Sequence, residues 1–468
     1  MACFFRTSSI VPLAPAAGFG WAWNVRSSST VRAVAPAAHP VGLGLWQGVA
    51  LYLCAVLGAG VLALPGQAAS LAGPASLLSW AFCAVLSVPL AFTFARLAAL
   101  MPDPGGVAAH ARRAFGPAAG GIAGWWYFIA GSVGQAVISL TAGSYLARSF
   151  GLPGAASPAL AAGVVAAAFA VTAVGLRAGG VVQLILAAGV CAVLAVAVAA
   201  AVPGIAWSSF TPFAPHGFAG VGAAAVVLFY AFAGWEAVTH LSADFRTPRR
   251  DMPRATGLAL GVVTVLYLCL AGAVVGTGSY GTTADDDVAL ARIVGDRLGL
   301  SPAIAIGVAA AVICVATASV FSSSVARLGF ALARDGWAPA PMARLNGRGA
   351  PWVAALLVAA IGGAGLLASA AFGWGIGQLV VIPSTLVLAT YLLASAAAIR
   401  LLRGAWRILP VLSLAMISLV TPSAGWHLAL PAAIAAVVML ASPLARRSGR
   451  GGSPRRRRRT AAARGKAG

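Results

Sequence analysis

Acidic side chains are nearly missing from this chain. It has nine Asp and Glu in 468 residues, and Glu236 is its single glutamate. Charged residues of both signs make up 9%, against 60% hydrophobic residues and a mean hydropathy of +0.93. A soluble domain of this size needs far more charge to cover its water-facing surface, which excludes that class. Cysteine is scarce as well. The six cysteines, at 3, 54, 83, 191, 269 and 314, lie in apolar runs except Cys3, and none has metal-ligand spacing. They read as small core residues rather than disulfides, and no metal or cofactor is expected. Glu236 has no acid partner and the histidines are scattered, so the constellation of a membrane enzyme is lacking. Repeated polar positions of the kind that line a channel are lacking too. The chain is expected not to be an enzyme.

What the sequence has is apolar length. Runs of about 20 apolar residues recur from 43 to 441, each able to cross a hydrocarbon core as a helix. The first begins near Leu43. The others fall at 75–99, 119–147, 158–176, 180–202, 219–242, 255–279, 302–333, 351–371, 375–399, 405–421 and 425–442. The expected fold is all-α and polytopic, with about twelve spans and both termini on one side. Residues 1–40, rich in Ser, Ala and Arg, have a transit-peptide-like composition without the compact apolar core of a secretory signal. They read as a disordered cytoplasmic tail or as an extension from a misassigned start codon. Residues 443–468 hold the run SPRRRRRTAAARGKAG, a disordered basic end that can lie on anionic lipid at roughly 1 kcal/mol per basic residue. No fold or aromatic platform accompanies it, so membrane lipid rather than nucleic acid is the expected partner.

Arginine sets the orientation. With the N-terminus inside a cytoplasmic membrane, the connections on the inner side hold eighteen arginines before the basic tail is counted. The outer loops hold three, Arg148, Arg292 and Arg297. The longest outer loop, 280–301, carries Asp285, Asp286 and Asp287 and is expected to contain a short helix; adjacent carboxylates in a solvated loop are more often solvated than metal-bound.

Two spans are interrupted. The first contains GAGVLALPG, Gly58 to Gly66, with three glycines and a proline in nine residues, poor sequence for a continuous helix. The sixth contains FYAFAGWEAVTH, in which Gly234 sits among aromatics and Glu236 follows. If spans 1–5 (about 43–202) and 6–10 (about 219–399) form two halves, the breaks correspond. An odd number of spans per half makes the halves inverted, with extra helices at about 405–442. Paired breaks in corresponding positions point to a transporter binding site. Unwinding at Gly58, Ala59 and Gly60 presents N–H groups at the positive end of a half-helix, where a substrate carboxylate binds. Unwinding from Tyr230 to Gly234 presents carbonyl oxygens that suit an ammonium. A carboxyl at bilayer depth costs several kcal/mol unless it faces a cavity, finds partners or takes up a proton. Glu236 is therefore either a coupling residue or a hydrogen-bonded tie between helices. The side chains around the breaks, Ala59, Val61, Phe229, Phe232 and Trp235, are small or apolar, which favours a neutral apolar amino acid as substrate.

Three stretches carry a resemblance: GAGVLALPG; FYAFAGWEAVTHLSADFRTPRRDMPRA; and ARDGWAPAPMARLNGRGAPWVAA after the eighth span. Over about residues 42–440 the chain resembles the amino acid–polyamine–organocation (APC) transporters, and most closely the bacterial efflux permeases that export methionine and branched-chain amino acids. The resemblance implies a LeuT-type arrangement of two inverted five-helix repeats plus two helices, within a transporter domain at 41–442. It implies carboxylate contacts from Gly58, Ala59 and Gly60 and amino-group contacts around Tyr230, Ala231, Ala233 and Gly234. Tyr230 and Phe232 stand as gating aromatics, and Glu236 where many relatives have an acid. Ser322 and Ser323 match the hydroxyls of sodium-coupled relatives, though small serines also serve close helix packing. Residues 180–202 lack the lysine that replaces sodium in proton-coupled relatives, so H+ and Na+ both stay open as the coupling ion. Trp125, Trp126 and Tyr127 fit either a pocket lining or interfacial anchors, and His240, four residues after Glu236, shares its helical face. The expected activity is secondary transport by alternating access, as exporter, importer or exchanger. A reporter fused after residue 290 should be outside the cytoplasm and one after residue 345 inside; the reverse pattern would overturn the span assignment.

Overall fold

The computed structural model describes residues 44–101, 103, 105–174, 180–236, 239, 245–282, 286–298 and 300–448. Every regular element among them is a helix. Eight segments of these residues are long and apolar enough to cross a membrane, and two shorter helices are equally apolar.

Those two short helices are the ones that stop at the breaks. Helix α1, Leu45–Val56, ends where Leu57 takes φ −78°, ψ 42° and Gly58 takes φ −86°, ψ −146°. Helix α2, Ala59–Ala72, then restarts and contains Pro65. After a turn at Gly73, α3 runs from Ser76 to Leu100. The sixth apolar stretch starts as α8, Gly217–Leu228, and leaves the helix for a series of turns over residues 229–236. Both breaks fall where the sequence places them. His240, the further polar group read from that stretch, lies outside the described residues, as does Asp285.

Beside these broken segments stands α5, Pro117–Ser149, a helix of about 50 Å at 1.5 Å per residue. Its glycines are contact points. A Cβ on Gly121 would meet the Trp337 ring at 2.3 Å, on Gly124 the Leu332 side chain at 2.5 Å, on Gly131 Val325 at 2.4 Å and on Gly143 the Ser157 carbonyl at 2.1 Å. Small residues at such spacing let helices approach without a hydrophobic driving force in lipid. Around α5 pack α4 (Gly106–Phe115), α6 (Ser157–Val174), α11 (Leu300–Arg334), α12 (Trp352–Phe372) and α13 (Ile376–Leu401). Helix α7, Gly180–Ala201, lies against α1, and α9, Pro248–Thr277, against α1 and α3. Helix α14, Ile408–Val420, covers α3 and α13. Helix α15, Ala429–Ser448, lies on α5 and runs past the boundary at 442 read from the sequence.

Helix α11 spans about 50 Å and separates two ends. At its far end, Asp335 pairs with Arg112 of α4 and, at 3.0 Å, with Arg334, while Asp103 stands 3.7 Å from Arg112. The amphipathic α4 was not distinguished in the sequence. At the near end, α10 (Ala289–Leu298) packs against α2, α5, α7, α9 and the start of α11, where the sequence places a short helix. Trp125 and Trp126 act as ties between elements: their indole N–H groups donate to the carbonyls of Trp337 (2.7 Å) and Pro431 (2.8 Å).

Candidate functional site

A helix that stops inside a bundle leaves its last carbonyls and the next helix's first N–H groups without intrahelical partners. In an apolar medium these must be met by other groups. At the end of α1 the last intrahelical bond is the one to Leu53, and two of the carbonyls beyond it, those of Cys54 and Val56, accept from neighbouring helices. The Leu53 carbonyl accepts from the Leu57 N–H at 2.7 Å, and that of Cys54 from the Thr317 hydroxyl of α11 at 3.3 Å. The Ala55 carbonyl lies 2.9 Å from where a Gly234 Cβ would be, and the Val56 carbonyl sits 2.6 Å from the Tyr267 hydroxyl of α9. That same hydroxyl is 2.9 Å from the Ala231 carbonyl in the other break. A tyrosine hydroxyl has one proton to give, so the two carbonyls share a single donor.

The breaks also touch directly. A Cβ on Gly60 would lie 2.9 Å from the Ala231 Cα, and one on Gly58 would lie 2.5 Å from the Thr317 methyl. Gly234 has φ +128°, a backbone that side-chain-bearing residues rarely adopt. Ala59, Ala231 and Ala233 are buried among these contacts. Gly58, Ala59, Gly60, Ala231, Ala233 and Gly234, widely separated in the chain, thus form one main-chain surface.

The two aromatic gating candidates go to different places. The Tyr230 hydroxyl donates to the Gly134 carbonyl of α5 at 2.9 Å. Phe232 packs instead on Trp80 and Tyr267, with ring centroids 5.9 and 5.0 Å away. Phe229, Phe232, Cys83 and Tyr391 line a small apolar cavity beside the break.

Glu236 is fully buried. Its carboxylate accepts the Gly234 N–H at 3.1 and 3.2 Å to its two oxygens, and the Tyr391 hydroxyl of α13 donates to it. The Tyr127 hydroxyl of α5 faces the same group. The carboxylate therefore caps its own turn and joins it to α13. Of the serines, Ser323 shares a hydrogen bond with Thr172 of α6 at 3.2 Å, and Ser322 is buried. A hydroxyl of α11 that does meet α1 is that of Thr317, about one and a half turns earlier. Among the described residues no three His, Cys, Asp or Glu side chains gather as a metal site.

Sequence reasoning missed Tyr267, Thr317 and Tyr391. A hydroxyl in the middle of an apolar helix is itself a signal, because it must find an acceptor at depth. Which carbonyl it serves becomes visible only when the breaks are assembled.

The family model described as amino acid permease matches residues 43–445. The chain is 31% identical over 395 residues to the uncharacterized amino acid permease YecA of Bacillus subtilis, covering 83% of this chain and 92% of that protein. It is 29% identical over 402 residues to the L-methionine/branched-chain amino acid exporter YjeH of Escherichia coli, covering 85% and 94% respectively. The branched-chain amino acid permease BcaP of B. subtilis is 25% identical over 325 residues, covering 65% of this chain and 69% of that protein. With two helix breaks joined through their main chains and a family match over nearly the whole chain, the protein belongs to the amino acid permease family and is a multi-pass membrane transporter of the APC superfamily.

Proposed function

We propose that this permease carries neutral apolar L-amino acids across the cytoplasmic membrane by alternating access, as an exporter. In this reading twelve spans form two inverted five-helix repeats and two added helices, with both termini cytoplasmic and the arginine-rich end of the bundle inside. The observation that carries it is the direct contact of the two breaks, Gly60 on Ala231 and Gly234 on Ala55. The first N–H groups of α2 stand ready for a carboxylate, and the carbonyls of the 229–236 turns for an ammonium. A zwitterion bound there needs no charged side chain, and Phe229 and Phe232 favour an apolar one. A charged side chain finds no acid or base near these breaks other than Glu236, whose carboxylate is already bonded to Gly234 and Tyr391, and loses several kcal/mol on desolvation. The export direction leans on the methionine/branched-chain exporter among the relatives; an importer or exchanger uses the same site.

Counterflow of labelled leucine in proteoliposomes tests the reading, because exchange against unlabelled substrate is a property of a carrier. Leucine, isoleucine, valine and methionine should compete, and arginine or glutamate should be at least about tenfold weaker. Gly60→Val should abolish exchange while the protein still inserts, since the added carbons collide with the Ala231 main chain. Competition by arginine equal to that by leucine, or normal affinity in Gly60→Val, would contradict the site.

Glu236 carries the coupling part of the proposal, with H+ as the partner ion. A proton held in one carrier conformation and released in the other would link its gradient to transport. A second reading has an observation of its own, the bonds from Gly234 and Tyr391 to the carboxylate, which make it a tie that keeps the break formed. Glu236→Gln separates the two. Coupling predicts that amino-acid exchange survives while net transport loses its response to an imposed pH gradient. A wild-type gradient response in Glu236→Gln would leave only the tie.

A further inference from the structure

The outward face of α3 ends in a charge. Leu78, Val85 and Val88 are exposed apolar side chains on this helix, and Phe92 and Arg96 are half-buried. At about 100° per residue these five positions fall within about 80° of one another, on one face. A guanidinium on a face turned to lipid must reach the headgroup layer or find a partner. The Arg96 Cζ stands 4.6 Å from the centroid of the Trp406 ring, and its Nε is shielded from solvent with no hydrogen-bond partner among the described residues. The next acid along the chain, Asp103, is engaged by Arg112 at 3.7 Å and accepts the Gly105 N–H at 2.8 Å. A ring face attracts a cation but accepts few of its N–H groups and leaves its charge uncancelled. Trp406 lies in a short turn, Gly404–Arg407, that leads into α14. Within that turn the Arg407 Nε donates to the Leu402 carbonyl at 2.8 Å, and Leu402 packs in a buried cluster with Leu97, the neighbour of Arg96. A second guanidinium is thereby held at the end of α3. Beyond the turn, α14 lies on α3 and leaves Ile408, Val411 and Leu412 exposed. The two helices thus border an apolar strip that leads up to the cations.

We propose that Arg96, Trp406 and Arg407 bind the headgroup of one anionic phospholipid, whose acyl chains lie along the strip between α3 and α14. A phosphodiester supplies the acceptor oxygens that the Arg96 fork lacks, in the planar geometry a guanidinium matches, and cancels its charge. The Trp406 indole suits the headgroup layer, where one side of the ring is apolar and the other wet. Basic pockets between membrane helices take anionic headgroups for the same reasons. The apolar strip is what commits the site to a lipid: a soluble phosphate meets the two cations equally well but covers none of Val88, Val411 or Leu412. The bound lipid ties the end of α3 to the start of α14, through a charge that neither helix neutralises by itself. The site needs only that the protein spans a membrane. In the proposed orientation it faces the inner leaflet, and it takes nothing from the reading of substrate, direction or coupling.

Native mass spectrometry of the full-length protein in detergent tests this by reading the first equivalent of lipid bound. A buffer of high ionic strength screens exposed basic side chains, such as the arginines at 455–459, more than the half-buried Arg96. Phosphatidylglycerol should bind at least about tenfold more tightly than phosphatidylcholine with the same acyl chains. The preference should be lost in Arg96→Gln and partly restored in Arg96→Lys, which returns the charge without the fork. It should persist in Arg344→Gln, which removes an exposed arginine next to α11 and α12. Should Arg96→Gln fail to insert, Arg407→Gln, at an exposed position, should weaken the preference in its place. Glycerol 3-phosphate at the concentration of the lipid should displace none of it. Equal binding of the two lipids, a preference unchanged in Arg96→Gln or in its replacement, or displacement by glycerol 3-phosphate would overturn the proposal. Leucine counterflow tests transport separately, so the failure of one leaves the other standing.

Discussion

The structure depends on one constraint: a main-chain N–H or C=O cannot be left bare in hydrocarbon. Two helices stop inside the bundle, and the groups they free must be met by neighbours. The Cys54 carbonyl is met by Thr317, and those of Val56 and Ala231 by the one hydroxyl of Tyr267. Glycine makes this possible, because Gly60 and Gly234 bring backbone within reach of backbone and Gly58 admits the Thr317 side chain. The long α5 then serves as the wall to which Tyr230 and Tyr127 connect the sixth segment and Glu236. Tyr145, on the same helix, bonds the Leu62 carbonyl of α2 at 2.8 Å.

In the reading proposed here, such a site would recognise its substrate through peptide dipoles and not through fixed charges. That suits a carrier, which must release what it binds. A salt bridge formed at depth leaves an unpaired buried charge when it breaks, whereas main-chain groups can exchange partners with one another. The shared Tyr267 proton is an instance: one hydroxyl serves whichever of two carbonyls lacks another donor.

Much of this architecture was legible in the sequence because its signals are local. Apolar length marks the spans, and clustered glycine and proline mark the break at Gly58; a lone glutamate marks the other. The helix ends at Val56 and Leu228 follow. What was not legible depends on distant contacts. Nothing in the order of residues says that Tyr391 donates to Glu236, 155 positions away, or that Thr317 rather than Ser322 or Ser323 meets α1. Likewise Asp287 reads as one of three solvated acids until α10 folds over α2 and removes it from water. Tertiary burial overrides composition there, as it does for α4, whose role comes from the ion pairs of Arg112.

Displacement of labelled leucine by analogues lacking one end addresses the main-chain site most directly. If the α2 N-terminus holds the carboxylate and the 229–236 carbonyls hold the ammonium, 4-methylpentanoate and leucinamide should each bind at least about tenfold more weakly than leucine, because each leaves buried main-chain groups without a partner. Displacement by 4-methylpentanoate at the same concentration as leucine would mean that the carbonyls of the second break take no part in binding.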